Sequence, residues 1–175
     1  MKTPLEIQII RDPDGTVHFK AMVSFHDAIA DSSQSQKLIH IQSEYTKFVC
    51  TSRKLLEEIR GNRKSLADSC LQWKLANGIY SFVKRIEKDS YIFANVYEAL
   101  SRDLELSKSR LNYLIKFRTY YPTISQASKK INWSKYQEML DIKDVAKRKI
   151  CEKKILSGEM RTDNDIRNFK RSQRH

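Results

Sequence analysis

Glycine and proline are scarce: the 175 residues include 4 Gly and 3 Pro. So few turn-formers exclude an all-β architecture, in which many short strands each need a reversal. Cysteine is equally unhelpful as a scaffold. Cys50, Cys70 and Cys151 stand far apart and are odd in number, so they offer neither a C-x-x-C metal half-site nor a disulfide framework. A reducing, cytoplasmic compartment is the setting this usage implies. Long apolar runs are also missing. Stretches such as Tyr91-Ile92-Phe93-Ala94 are far too short to span a bilayer, so no membrane partner is expected. After Lys2 the N-terminus soon reaches Glu6 and Arg11, not the hydrophobic region of a signal peptide.

The motifs of several chemistries are absent too. The histidines His18, His26, His40 and His175 form no H-x-x-x-H pair and have no cysteine pair nearby, which argues against zinc. Neither G-x-x-x-x-G-K-[ST] nor G-x-G-x-x-G occurs, so no phosphate-cradling loop is expected. Pro13-Asp14 and Glu152-Lys153-Lys154 mimic the letters of a PD-(D/E)xK nuclease. That chemistry needs its acids on adjacent strands to hold Mg²⁺ together, whereas Asp14 falls in a turn and Glu152 in a helical pattern. The expectation is a chain with no catalytic residues, no metal and no cofactor, and not an enzyme.

What the sequence has in excess is positive charge: 33 Lys and Arg against 21 Asp and Glu, a net of +12. Residues 1–60 are neutral, with 8 basic and 8 acidic side chains, while residues 61–120 carry 11 against 6 and residues 121–175 carry 14 against 7. Such a field attracts polyanions, because Lys and Arg release counterions from a phosphate backbone.

The apolar pattern predicts a β-hairpin first. Leu5, Ile7 and Ile9 alternate with polar residues, Asp12-Pro13-Asp14-Gly15 supplies turn chemistry, and Val17, Phe19 and Ala21 alternate on the return. A short helix is expected at residues 25–30. Helical spacing then carries Ile41, Tyr45, Phe48, Val49, Leu55, Leu56 and Ile59, ending at Gly61-Asn62, where a neutral part (1–61) gives way to a basic part (62–175). A second long helix carries Leu66 through Ile86. A third is expected from near Asp89 or Ser90, with Ile92, Val96, Ala99, Leu100 and Leu104 on one side.

Next comes a polar interruption, with Ser107 as N-cap of a helix through Arg118. Two helices, a tight turn and exposed Lys, Arg and Asn on the second make a helix-turn-helix pattern. Arg110, Asn112 and Lys116 are the candidates for groove contact, and Lys108 for phosphate at the helix N-terminus. Beyond Pro122, Ile131 to Leu140 forms a short helix in which Trp133 and Tyr136 are expected in the core. The basic helix Val145–Leu156 offers Lys147, Lys149, Lys153 and Lys154 to the phosphate backbone, and Gly158 stops it. Thr162 caps a last helix.

Leu100-Ser101-Arg102-Asp103-Leu104, Leu111, Tyr121-Pro122, Trp133-Ser134-Lys135-Tyr136 and Asp144 together resemble the N-terminal domain of YhcG-type proteins, over roughly residues 66–169. The resemblance implies a helical, helix-turn-helix-like domain, commonly joined in that family to a C-terminal PD-(D/E)xK nuclease domain. It also implies a plasmid, mobile-element or phage-defence setting. Lys135 departs from the family's usual His, and the chain ends at His175 without that nuclease domain, so catalysis does not carry over.

The expected fold is therefore mainly α, a helix-turn-helix-like bundle with an N-terminal β-hairpin. The leading expectation for function is binding of nucleic acid, duplex DNA in particular. The alternative is a non-catalytic interaction subunit of a larger nuclease or ATPase complex. In that case the N-terminal segment docks a partner protein or associates with itself, because exposed strand edges tend to be paired.

Overall fold

A computed structural model describes residues 5–22, 32–61, 68–88, 91–93 and 96–172. The short helix expected at 25–30, Leu66 and the last three residues lie outside these. The fold is mainly α-helical, as expected. Its elements are β1 (Leu5–Arg11), β2 (Val17–Met22), α1 (Ser32–Gly61), α2 (Asp68–Lys88), β3 (Tyr91–Phe93), α3 (Val96–Asp103), α4 (Lys108–Tyr120), α5 (Trp133–Leu140), α6 (Val145–Leu156) and α7 (Asp163–Ser172). A 3₁₀ turn covers Ile124–Gln126.

By packing, the chain divides along a different line from the composition boundary at 61/62. Unit 1 comprises residues 1–54 and 78–111, and unit 2 comprises residues 55–77 and 112–175.

In unit 1 the hairpin forms as the alternation predicts, with Ile9 opposite Phe19 and Arg11 opposite Val17. Gly15 takes φ 89° in the turn, a value open to glycine because it has no Cβ, and its N–H donates to the Asp12 carbonyl at 2.9 Å. One expectation fails here. The helix thought to begin near residue 89 starts only at Val96, and Tyr91–Phe93 is a strand. It pairs parallel with β1, Leu5 opposite Tyr91 and Ile7 opposite Phe93, giving the sheet order β2-β1-β3. A three-residue apolar run carries no period of its own, and the free edge of β1 decides its conformation.

The unit 1 core is aromatic at its centre. Phe19 meets Tyr45 edge-on at 5.5 Å, Tyr45 meets Phe82 at 5.6 Å, and Phe48 stacks on Phe82 at 4.8 Å. Ile41, Val49, Ile79, Val83, Leu100 and Leu104 are buried in the same unit. Each apolar side chain buried this way is worth about 1.5–3 kcal/mol relative to exposure.

In unit 2 a second aromatic group forms, in which Phe117 lies 4.7 Å from Tyr136, 5.3 Å from Trp133 and 5.3 Å from Tyr121. Trp133 and Tyr136 are buried, as their helical spacing predicts. Local capping sets the helix ends. Asn132 accepts from the Lys135 N–H at 3.1 Å to start α5, and Asp144 accepts from the Lys147 N–H at 3.0 Å to start α6. Thr162 Oγ1 accepts from the Asp165 N–H at 3.2 Å while the Asp165 carboxylate accepts from the Thr162 N–H at 2.8 Å, a reciprocal box that opens α7. Gly158, at φ 83°, ends α6.

Candidate nucleic-acid interface

The turn between α3 and α4 is built from backbone bonds. The Leu106 N–H donates to the Ser101 carbonyl at 2.9 Å and the Glu105 N–H to the Arg102 carbonyl at 3.1 Å, a Schellman closure of α3. It forces Glu105 to φ 53°, a left-handed conformation that glycine usually supplies. Ser107 then caps α4, its Oγ accepting from the Arg110 N–H at 3.1 Å.

The four α4 candidates do not form one free surface. In unit 1, Lys108 is exposed and its Nζ lies 2.8 Å from Glu98, whose carboxyl the lysine holds below its usual range. Arg110 is half-buried with its Nε shielded from solvent, and helical spacing turns it about 160° away from Lys108. In unit 2, Asn112 is exposed, whereas Lys116 is partly engaged: its Nζ stands 3.8 Å from Asp141 and 5.3 Å from the centre of the Tyr113 ring. Tyr113 is half-buried with its hydroxyl 3.3 Å from both Asp141 oxygens. Asp141 also meets Lys170 at 3.5 Å, so this group fastens α4 and α7 to the end of α5.

Helix α6 sorts its basic residues by face. Arg148 is core: its guanidinium lies 3.7 Å over the Tyr120 ring and Nη1 donates to the Ile142 carbonyl at 2.6 Å. Lys154 is 3.2 Å from Glu159. Lys147 is half-exposed, while Lys149 and Lys153 stand in solvent one turn apart and form no ion pair among the described residues. Val145, Ile150 and Leu156 are exposed on the same outward side, spread over about 140° of helix surface with the two lysines between them.

Charge separates the units more sharply than it separates thirds of the sequence. Unit 2 holds 20 basic and 10 acidic side chains, net +10, and unit 1 holds 13 and 11, net +2.

The sequence reading missed the group around Asp103. This carboxylate is fully buried and accepts from the Tyr45 hydroxyl at 2.6 Å, with Arg11 at 2.9 Å and Arg102 at 2.9 Å. Burial pushes its carboxyl up, but the bonds from Arg102 and Tyr45 and the charges of Arg102 and Arg11 outweigh that, leaving it below the usual range. Arg102 is its neighbour in sequence, but no local spacing could have signalled Tyr45 or Arg11.

The nuclease-like letters stay apart in kind: Asp14 occupies the hairpin turn and Glu152 a helix. No group of three or more His, Cys, Asp or Glu suited to a metal occurs among the described residues. No described helix is long and apolar enough to cross a membrane. Cys151 is buried with its thiol pushed up to about 11 by that burial, and donates to Met160 Sδ at 3.9 Å. Compared with known proteins, the chain matches no family model, no curated protein and no solved structure.

Proposed function

We propose that this chain binds nucleic acid, duplex DNA in the first instance, through unit 2. The observation that carries the reading is the net charge of +10 gathered in that unit, with Lys149 and Lys153 exposed one turn apart on α6. Two lysines at that spacing meet successive phosphates as unpaired cations, and each contact releases counterions. Among the α4 side chains, exposed Asn112 suits a base edge better than half-buried Arg110, since an amide can bond adenine N6 and N7 together. The resemblance to the N-terminal domain of YhcG-type proteins points the same way and adds the mobile-element or defence setting.

The test is a fluorescence-anisotropy titration of duplex DNA across salt concentrations. Binding should weaken steeply with salt, and Lys149→Gln with Lys153→Gln should flatten the slope by about two units while weakening all sequences alike. Asn112→Ala should cost about 1–3 kcal/mol on preferred sequences only. No binding at low salt would overturn the reading.

A second reading, an interaction subunit, draws on the exposed Val145, Ile150 and Leu156 of α6. Such residues are unusual on a helix that meets only phosphate. In that case the chain alone binds no duplex, and Ile150→Glu abolishes assembly with its partner.

A further inference from the structure

Three arginines of unit 1 converge on Asp103, two on its carboxylate and one on its main-chain carbonyl. Arg11 Nη2 lies 2.9 Å from Asp103 Oδ1, Arg102 Nε donates to the same oxygen at 2.9 Å, and Arg53 Nε donates to the Asp103 main-chain carbonyl at 2.8 Å. Asp103 can neutralise only one of them. Three of the unit's other acids meet partners of their own: Asp12 meets His18, Glu44 meets Arg85, and Glu98 meets Lys108. The surplus of two positive charges in this cluster equals the net charge of the whole unit.

The arrangement is layered. Asp103 and Tyr45 are buried behind, while Arg53 and Arg102 are exposed and the Arg11 side chain keeps 28% of its surface. The terminal nitrogens of Arg53 make no hydrogen bond among the described residues. Holding three like charges together is unfavourable unless a second anion answers them, and the buried carboxylate fixes Arg11 and Arg102 in place beforehand. A guanidinium fork matches the oxygens of a tetrahedral anion in pairs, which an ammonium cannot do.

We propose that Arg11, Arg53 and Arg102 form a receptor for a phosphoryl group. The phosphoryl belongs either to a nucleic-acid backbone or to a free phosphorylated ligand. The inference does not rest on the duplex contact assigned to Lys149 and Lys153, and it stands or falls separately.

The experiment is isothermal titration of the full chain with inorganic pyrophosphate. Saturable binding is expected, weakened about ten- to a hundredfold by Arg53→Gln, because a hydrogen-bonded charge contact is lost. Arg53→Lys keeps the charge without the fork and should fall between. Lys47→Gln, an exposed lysine of the same unit, removes equal charge and should change nothing. Arg53 bonds only a main-chain oxygen, so its variants should melt like the parent in circular dichroism. Absence of saturable binding, or equal affinity in Arg53→Gln, overturns the proposal. If Arg53→Gln weakens duplex and pyrophosphate together, the phosphoryl is a backbone phosphate; if it weakens pyrophosphate alone, the ligand is free. Loss of duplex binding in the lysine variants with pyrophosphate binding intact would separate the two sites.

Discussion

Asp103 shows how a single side chain can be decisive and still be invisible in a linear reading. Its partners Tyr45 and Arg11 come from other elements of unit 1, so no window of the sequence contains the group. Ser107 and Thr162 were legible as caps because each acts on a backbone N–H three residues away. Removing the charge with Asp103→Asn leaves Arg11 and Arg102 facing a neutral group. Because both arginines keep access to solvent, the cost is about 1–3 kcal/mol, seen as a lowered urea midpoint. The pH dependence follows from the depressed carboxyl. The unfolded chain takes up the proton more readily than the folded one, so the stabilisation is full above the ordinary carboxylate range. It is lost as pH falls through that range, and urea midpoints from pH 7 to pH 3 should decline less steeply in Asp103→Asn than in the parent.

Glu152 behaves in the opposite sense, because burial raises its carboxyl despite Arg148 and Lys149. Its ionisation in the folded state is unfavourable, so stability falls as pH rises through the carboxylate range. Glu152→Gln should raise the melting temperature at neutral pH, and a lowered one would show that the charge is compensated there.

At the scale of elements, helix boundaries were the most readable feature where capping chemistry was written locally. The basic helix expected at Val145–Leu156 has those bounds, with Asp144 before it and Gly158 after. Its faces were less readable. Arg148 looks like any other cation in a run of lysines, and only the Tyr120 ring and the Ile142 carbonyl make it internal. Strand β3 was missed because three apolar residues satisfy helix and strand alike.

Two of the left-handed positions give opposite predictions. Gly158→Ala puts a Cβ at φ 83° with open space around it, so the cost is conformational, about 1 kcal/mol. Glu105→Gly relieves the same kind of strain at φ 53° and should stabilise by up to about 1 kcal/mol. Thermal melts of both variants against the parent read the two signs.

For the molecule as a whole, composition changes near residue 61, but packing pairs the first 54 residues with 78–111 and the remainder with one another. Hydrophobic periodicity shows which residues seek a core without showing which core they join. Charge was legible as an excess, and its concentration at net +10 emerges only when residues are grouped by unit. A fragment of residues 62–175 tests this division. It lacks Tyr45 and Arg11, the partners of Asp103, and also Leu56 and Ile59, which are buried on the unit 2 side of α1. Its circular-dichroism melt should be broad and weakly cooperative, and a sharp transition like that of the full chain would show that residues 62–175 fold alone.

The parallel pairing of β1 with β3 also sets an order in time. On a ribosome the hairpin strands emerge before Tyr91–Phe93, and β1 waits for that segment to complete its second edge. At about 5–20 residues per second that interval is on the order of ten seconds. Throughout it the nascent chain presents the unpaired backbone N–H and C=O groups of a strand edge to its neighbours, so chaperone demand and losses during expression should concentrate between the emergence of β1 and that of β3.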